Sequence, residues 1–97
     1  MATAVQVTFD TADPHSQAAF WAAALGYEVE DHTAVVDGLV TAGRLPAAAV
    51  VTLADGRRGF AEVAACRDPD GVGPRLFLQR VPESALRQVV TRVSLGA

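Results

Sequence analysis

Apolar and polar residues alternate in two clean stretches, and a helical stripe stands between them. Residues 4–9 read Ala-Val-Gln-Val-Thr-Phe, with Val5, Val7 and Phe9 on one face and Gln6 and Thr8 on the other. That alternation predicts a strand. Asp10, Thr11 and Asp13 then predict a turn, Asp13 a helix N-cap, and Pro14 the first helical position, where a missing N–H costs nothing. The helix is expected over about 14–25, with Phe20, Trp21, Ala24 and Leu25 as its apolar stripe. Gly26 is the expected left-handed residue after it, and Tyr27 and Val29 open the next extended piece.

The second alternating stretch is 75–81, Arg-Leu-Phe-Leu-Gln-Arg-Val, where Leu76 and Leu78 share one face and Phe77 and Gln79 the other. Its entry, Asp68-Pro69-Asp70-Gly71-Val72-Gly73-Pro74, is built from turn formers. Pro82 ends the strand because it has no N–H for a ladder. Between these landmarks the pattern is mixed. Residues 30–43 read as a helix capped by Asp31 or Thr33, with Val35, Val36, Leu39 and Val40 recurring at helical spacing. Residues 49–53 read as a strand and Asp55-Gly56 as a turn. Residues 56–64 fit a helical stripe and an alternation about equally; a short helix is the expectation. Residues 83–87 read as a turn of helix, and 88–95 as a strand by their β-branched content.

Two stretches carry more than periodicity. Asp13-Pro14 followed by Ala19-Phe20-Trp21-Ala22-Ala23-Ala24-Leu25-Gly26-Tyr27, and then the Asp68–Glu83 stretch, together span residues 5–83. In order and spacing they resemble the glyoxalase-like branch of the vicinal oxygen chelate (glyoxalase/bleomycin resistance/dioxygenase) superfamily. The resemblance implies an α+β fold: one βαβββ-type module over residues 1–97, with a curved mixed sheet. Arg92-Val93-Ser94-Leu95 looks like the opening strand of a second module. A single module leaves one sheet face in need of a cover, so closure by homodimerisation is expected, and the last strand pairs with its own sheet or with the partner.

The candidate site follows from that picture. Gln6 stands where metal-using relatives carry a His, Gln or Glu ligand, and Gln79 near their second ligand, usually Glu. Ser94 stands where the next module would offer His. Glutamine is a weak neutral ligand, so a divalent metal is disfavoured and no cofactor is expected. Gln6, Phe77, Gln79 and Trp21 are the candidate ligand-binding residues. Arg75 is expected to fix the turn through Asp68 or Asp70; the alternative is that its planar, five-donor guanidinium holds an anionic ligand. His15 and His32 match no ligand spacing, and Cys66 lacks the partners of a nucleophile.

Composition trims the alternatives. One cysteine in 97 residues excludes an intrachain disulfide and a cysteine-rich zinc site. Eight basic against eleven acidic residues, a formal charge of -3, argue against a nucleic-acid surface. No apolar run approaches the roughly 20 residues of a bilayer span. With no secretory signal pattern at the N-terminus, a cytoplasmic location is expected. The function expected is binding or sequestration of a small apolar or amphipathic molecule. The alternatives are a metal-dependent lyase, isomerase or dioxygenase-like enzyme, and a structural or protein-interaction module.

Overall fold

A computed structural model describes residues 4–82 and 91–96, the last six as backbone. The chain divides into two compact units, one made of 1–30 with 63–97, the other of 31–62.

The first unit contains β1 (Ala4–Thr11), α1 (Pro14–Leu25), β2 (Glu28–Val29), β5 (Val63–Arg67), β6 (Arg75–Arg80) and β7 (Thr91–Gly96). The five strands form a mixed sheet in the order β2-β5-β6-β1-β7. β1 runs parallel to β6, with Val7 opposite Leu76 and Phe9 opposite Leu78. The other pairings are antiparallel, including β1 with β7, where Gln6 faces Ser94. Of the two routes expected for the last strand, pairing within its own sheet is the one observed. The expected α+β architecture with a curved mixed sheet is therefore present, and the sheet is open.

α1 begins and ends as its sequence requires. The Asp13 side chain accepts the Ser16 N–H at 3.2 Å, Pro14 occupies the first turn, and Gly26 adopts φ 69°. That φ suits glycine, which has no Cβ to clash. The stripe that packs differs from the one expected. Pro14, Ala18 and Ala22 are buried, while Phe20 is 59% and Leu25 49% exposed. Small side chains let the helix backbone approach the sheet closely, so the alanine face turns inward. Ala18 and Ala22 join Ala64, Cys66, Leu76 and Leu78 in one core, flanked by Val7, Phe9, Trp21, Tyr27 and Val29. Trp21 stacks on Phe9 with ring centres 5.6 Å apart and planes 12° from parallel.

The expected short helix at 56–64 is overturned. Residues 58–60 and 63–67 are strands, β4 (Arg58–Phe60) and β5. β5 is sandwiched between β2 and β6. A strand covered on both edges and packed under a helix needs small buried residues, and Ala64, Ala65 and Cys66 supply them. β1 also runs two residues further than expected: Asp10 and Thr11 pair with Gln79 and Arg80 before the turn to α1.

The second unit holds α2 (Thr33–Thr41), a single 3-10 turn at Ala47–Ala49, β3 (Val50–Thr52) and β4. β3 and β4 form a two-stranded antiparallel sheet. α2 lies inside the expected 30–43 range. The cap expected at Asp31 or Thr33 is not the one observed: His32 holds the cap position without a side-chain bond, and Asp31, one residue earlier, accepts the Thr33 N–H and the Thr33 hydroxyl. The Arg58 N–H donates to the Thr33 hydroxyl at 2.9 Å, and its guanidinium forks onto both carboxylate oxygens of Asp37. That fork lowers the Asp37 pKa below the usual carboxylate range. The expected turn at 83–87 lies outside the described residues, as do 88–90 of the last expected strand.

Candidate functional site

The alternation that buries Leu76 and Leu78 under α1 puts Arg75, Phe77 and Gln79 on the opposite face of β6. The register then assembles rows across that face. Arg75 lies beside Gln6, Phe77 lies between Ala65 and Thr8, and Gln79 lies between Val63 and Asp10. All but Ala65 are half-buried, and Ala65 is buried. Three of the four candidate residues, Gln6, Phe77 and Gln79, are thus brought onto one face. Trp21 is not among them, since it packs on Phe9 on the helix side.

Arg75 dominates one end of this face. Its Nε and Nη2 donate to the two carboxylate oxygens of Glu30 at 2.6 and 2.9 Å. Its Nη1 donates to the Gln6 side-chain oxygen at 2.7 Å. The guanidinium carbon stands 5.5 Å from the centre of the Phe77 ring, a cation–π arrangement. Glu30 is held in place from its backbone, where its N–H donates to the Ala65 carbonyl at 2.9 Å. A planar guanidinium gripped by a two-oxygen fork and a third acceptor has little freedom left. Its pKa is raised further, first by the hydrogen bonds to Glu30. The expected pairing of Arg75 with Asp68 or Asp70 is overturned.

Asp68 is committed elsewhere. One carboxylate oxygen accepts the Asp70 N–H at 2.9 Å; the other accepts those of Val72 and Gly73 at 3.1 and 2.7 Å. The Gly73 bond is the main reason that its pKa falls below the usual range, with Asp70 next. The loop therefore closes on its own aspartate and leaves Arg75 to the sheet. Gly73 is fixed there by space, because a Cβ at that position would lie 2.2 Å from the Tyr27 hydroxyl. The loop borders a groove of about 850 Å³ whose walls include Val5, Arg67, Asp68, Asp70, Val72 and Arg75.

The donors do not fit a divalent cation. The Gln6 oxygen, which would have to turn to a metal, already accepts from a guanidinium, and a second positive charge beside Arg75 would be repelled. Gln79 offers only an amide. Among the described residues no group of three or more His, Cys, Asp or Glu side chains is placed to hold a metal. Cys66 is buried in the core, and burial raises its thiol pKa, so it is an inert thiol. His32 lies against Phe60, with ring centres 5.8 Å apart, in the second unit.

Sequence reasoning missed Glu30. It stands 45 residues from Arg75, at the end of a two-residue strand, and no local pattern marks it as a partner. Its signal is indirect: an acidic residue two positions after Glu28 falls in register with Ala65 once β2 is paired with β5.

Taken in chain order, the first four strands of the sheet are β1, β2, β5 and β6, and in space they stand first, fourth, third, second. With α1 after the first, this is a βαβββ module carrying the 31–62 unit between its second and third strands. The family model for the glyoxalase-like domain matches residues 6–96, and the chain belongs to that family. No curated protein and no solved structure matches the chain significantly. No described helix is long and apolar enough to cross a membrane.

Proposed function

We propose that this chain is a small-molecule binding or sequestration protein that works without a metal. Its binding face is the sheet surface carrying Gln6, Thr8, Phe77 and Gln79, with Arg75 at one end. The observation that carries this reading is the Arg75–Gln6 bond at 2.7 Å, backed by the Glu30 fork. In support, a fixed organic cation meets Gln6, the position at which the resemblance would put a metal-ligand oxygen. What remains is an aromatic ring, a hydroxyl and an amide around a rigid donor, which is the makeup of a binding floor rather than of acid–base machinery. We further propose that a second copy of the chain covers this face, as the family's paired modules would, and that the protein acts in the cytoplasm.

The test is a thermal-shift screen of small amphipathic molecules on protein treated with a chelator, with the mass of the same preparation measured by light scattering. The expected result is a dimer of about twice 10.1 kDa whose melting temperature rises with ligand, and a rise lost in Phe77→Ala and Gln79→Ala. A stoichiometric metal that survives purification, with binding lost on chelation, would replace this reading by a metal-dependent lyase, isomerase or dioxygenase. If such a metal is bound, Gln79→Ala or Gln6→Ala lowers its content.

A further inference from the structure

The binding face has a direction. At one end are Arg75 and Gln6, in the middle Phe77 with Thr8 and Ala65, and at the far end Gln79 with Val63 and Asp10. Successive same-face positions on β6 are about 6.6 Å apart. A guanidinium has five N–H groups. Three of them meet Glu30 and Gln6, so two are left over from these contacts. They lie in the plane of a group that cannot swing away, because Glu30 holds one edge.

Charge near this end is mixed: Arg67 and Arg75 stand with Glu28, Glu30, Asp68 and Asp70. Arg67 follows Cys66, the residue paired with Leu76, so it ends its strand beside Arg75. Both arginines border the groove. Arg67 approaches Glu28 only to 3.8 Å, with both side chains about 60% exposed (64% and 59%), a weak pairing in water. Asp68, on the same wall, has both oxygens bound by backbone N–H groups of its loop. Glu30 offsets the charge of Arg75 but supplies no donor. A ligand carboxylate would therefore meet two fixed N–H groups with the cation of Arg67 nearby.

We propose that Arg75 is the anchor for the carboxylate of a small ligand whose apolar or aromatic body lies along β6 over Phe77. Glu30 and Gln6 are positioning residues that aim the guanidinium. This rests on the binding function proposed above and names its ligand class: a monocarboxylate with a ring or short apolar chain. The guanidinium does for the ligand oxygens what a metal would otherwise do, by hydrogen bonds and charge instead of coordination.

The experiment is isothermal titration with 3-phenylpropanoate and its neutral isostere 3-phenylpropanamide, on wild type and on Arg75→Lys. Lysine keeps the charge opposite Glu30, so the variant retains the fold while losing the planar fork. The expected result is binding of the acid, with the amide weaker by roughly tenfold or more, and a comparable loss for the acid in Arg75→Lys. Equal binding of acid and amide, or undiminished binding in Arg75→Lys, overturns the anchor and leaves the binding face standing. Failure of both probes to bind wild type overturns the anchor, and the binding function falls with it only if the thermal-shift screen is also blank.

Discussion

Leu78 and Phe77 are neighbours in sequence and belong to different worlds. Leu78 is fully buried under α1 in a core that has no buried polar side chain among the described residues. Phe77 looks the other way, half-buried beside a guanidinium, a threonine and, one row on, an amide. The helix side is dry, with small and aliphatic groups at its centre and the Phe9–Trp21 stack beside them. The opposite side is a polar network with defined geometry, whose members are specified by chemistry. The strand's two-residue period sorts them, so a single stretch of seven residues writes both the stability of the module and its candidate site.

Substitutions on the two sides should separate these roles. The largest expected effect is on the dry side: Leu78→Ala leaves a cavity and should cost about 2–5 kcal/mol in urea unfolding. Next is the loop, where Gly73→Ala drives a methyl group into the Tyr27 hydroxyl and should cost about 1–3 kcal/mol. Adding Tyr27→Phe should return much of that loss, and a strictly additive double mutant would show that the close approach is not the cause. On the polar side, Glu30→Gln removes a charge from the Arg75 fork. Because the Arg75 side chain is 38% exposed, water replaces part of what is lost, and about 1–2 kcal/mol is expected. A loss as large as that of Leu78→Ala would erase the distinction between the two sides. Removing the helix cap by Asp13→Ala should cost about 1 kcal/mol, read in the same unfolding series.

The smallest effect expected is one of pH. The Asp68 pKa is depressed in the fold, first by its bond from the Gly73 N–H, so its ionised form stabilises the native loop. That contribution is complete above the ordinary aspartate range and is lost as pH falls through the depressed value. Asp68→Asn should flatten the acid limb of the stability curve and leave its shape near neutrality alone. An acid limb identical to that of the wild type would remove Asp68 from the account.

The same contrast explains what could be read from the sequence. Where a cap, a terminator, an alternation or a turn motif decided the matter, the structure follows the sequence: the cap at Asp13, the terminator at Gly26, the alternation of 75–80, and the Asp68 loop; the apolar stripe of α1 does not. The face shared by Gln6, Phe77 and Gln79 was legible for the same reason, because it needed only the period of two strands. Residues 58–67 were not, since Phe60, Val63 and Ala64 fit a helical stripe while Phe60, Glu62 and Ala64 fit an alternation, and only the pairing of β5 between β2 and β6 settles which wins. Arg75 shows the same failure at the site. Local aspartates were the nearest partners in sequence, but backbone N–H groups had already claimed Asp68, and the true partner, Glu30, lies 45 residues away just past β2. Trp21 lies on the helix side, where the turn of α1 places it on Phe9.

The most direct test of the two-sided sheet is a map of backbone amide shifts in the wild-type protein as 3-phenylpropanoate is titrated in. The account predicts changes at Gln6, Thr8, Ala65 and Arg75–Gln79, strongest near Arg75 and Phe77, with Ala18, Trp21 and Ala22 still. Changes centred on Phe9, Trp21 and α1, or none on β1 and β6, would contradict it.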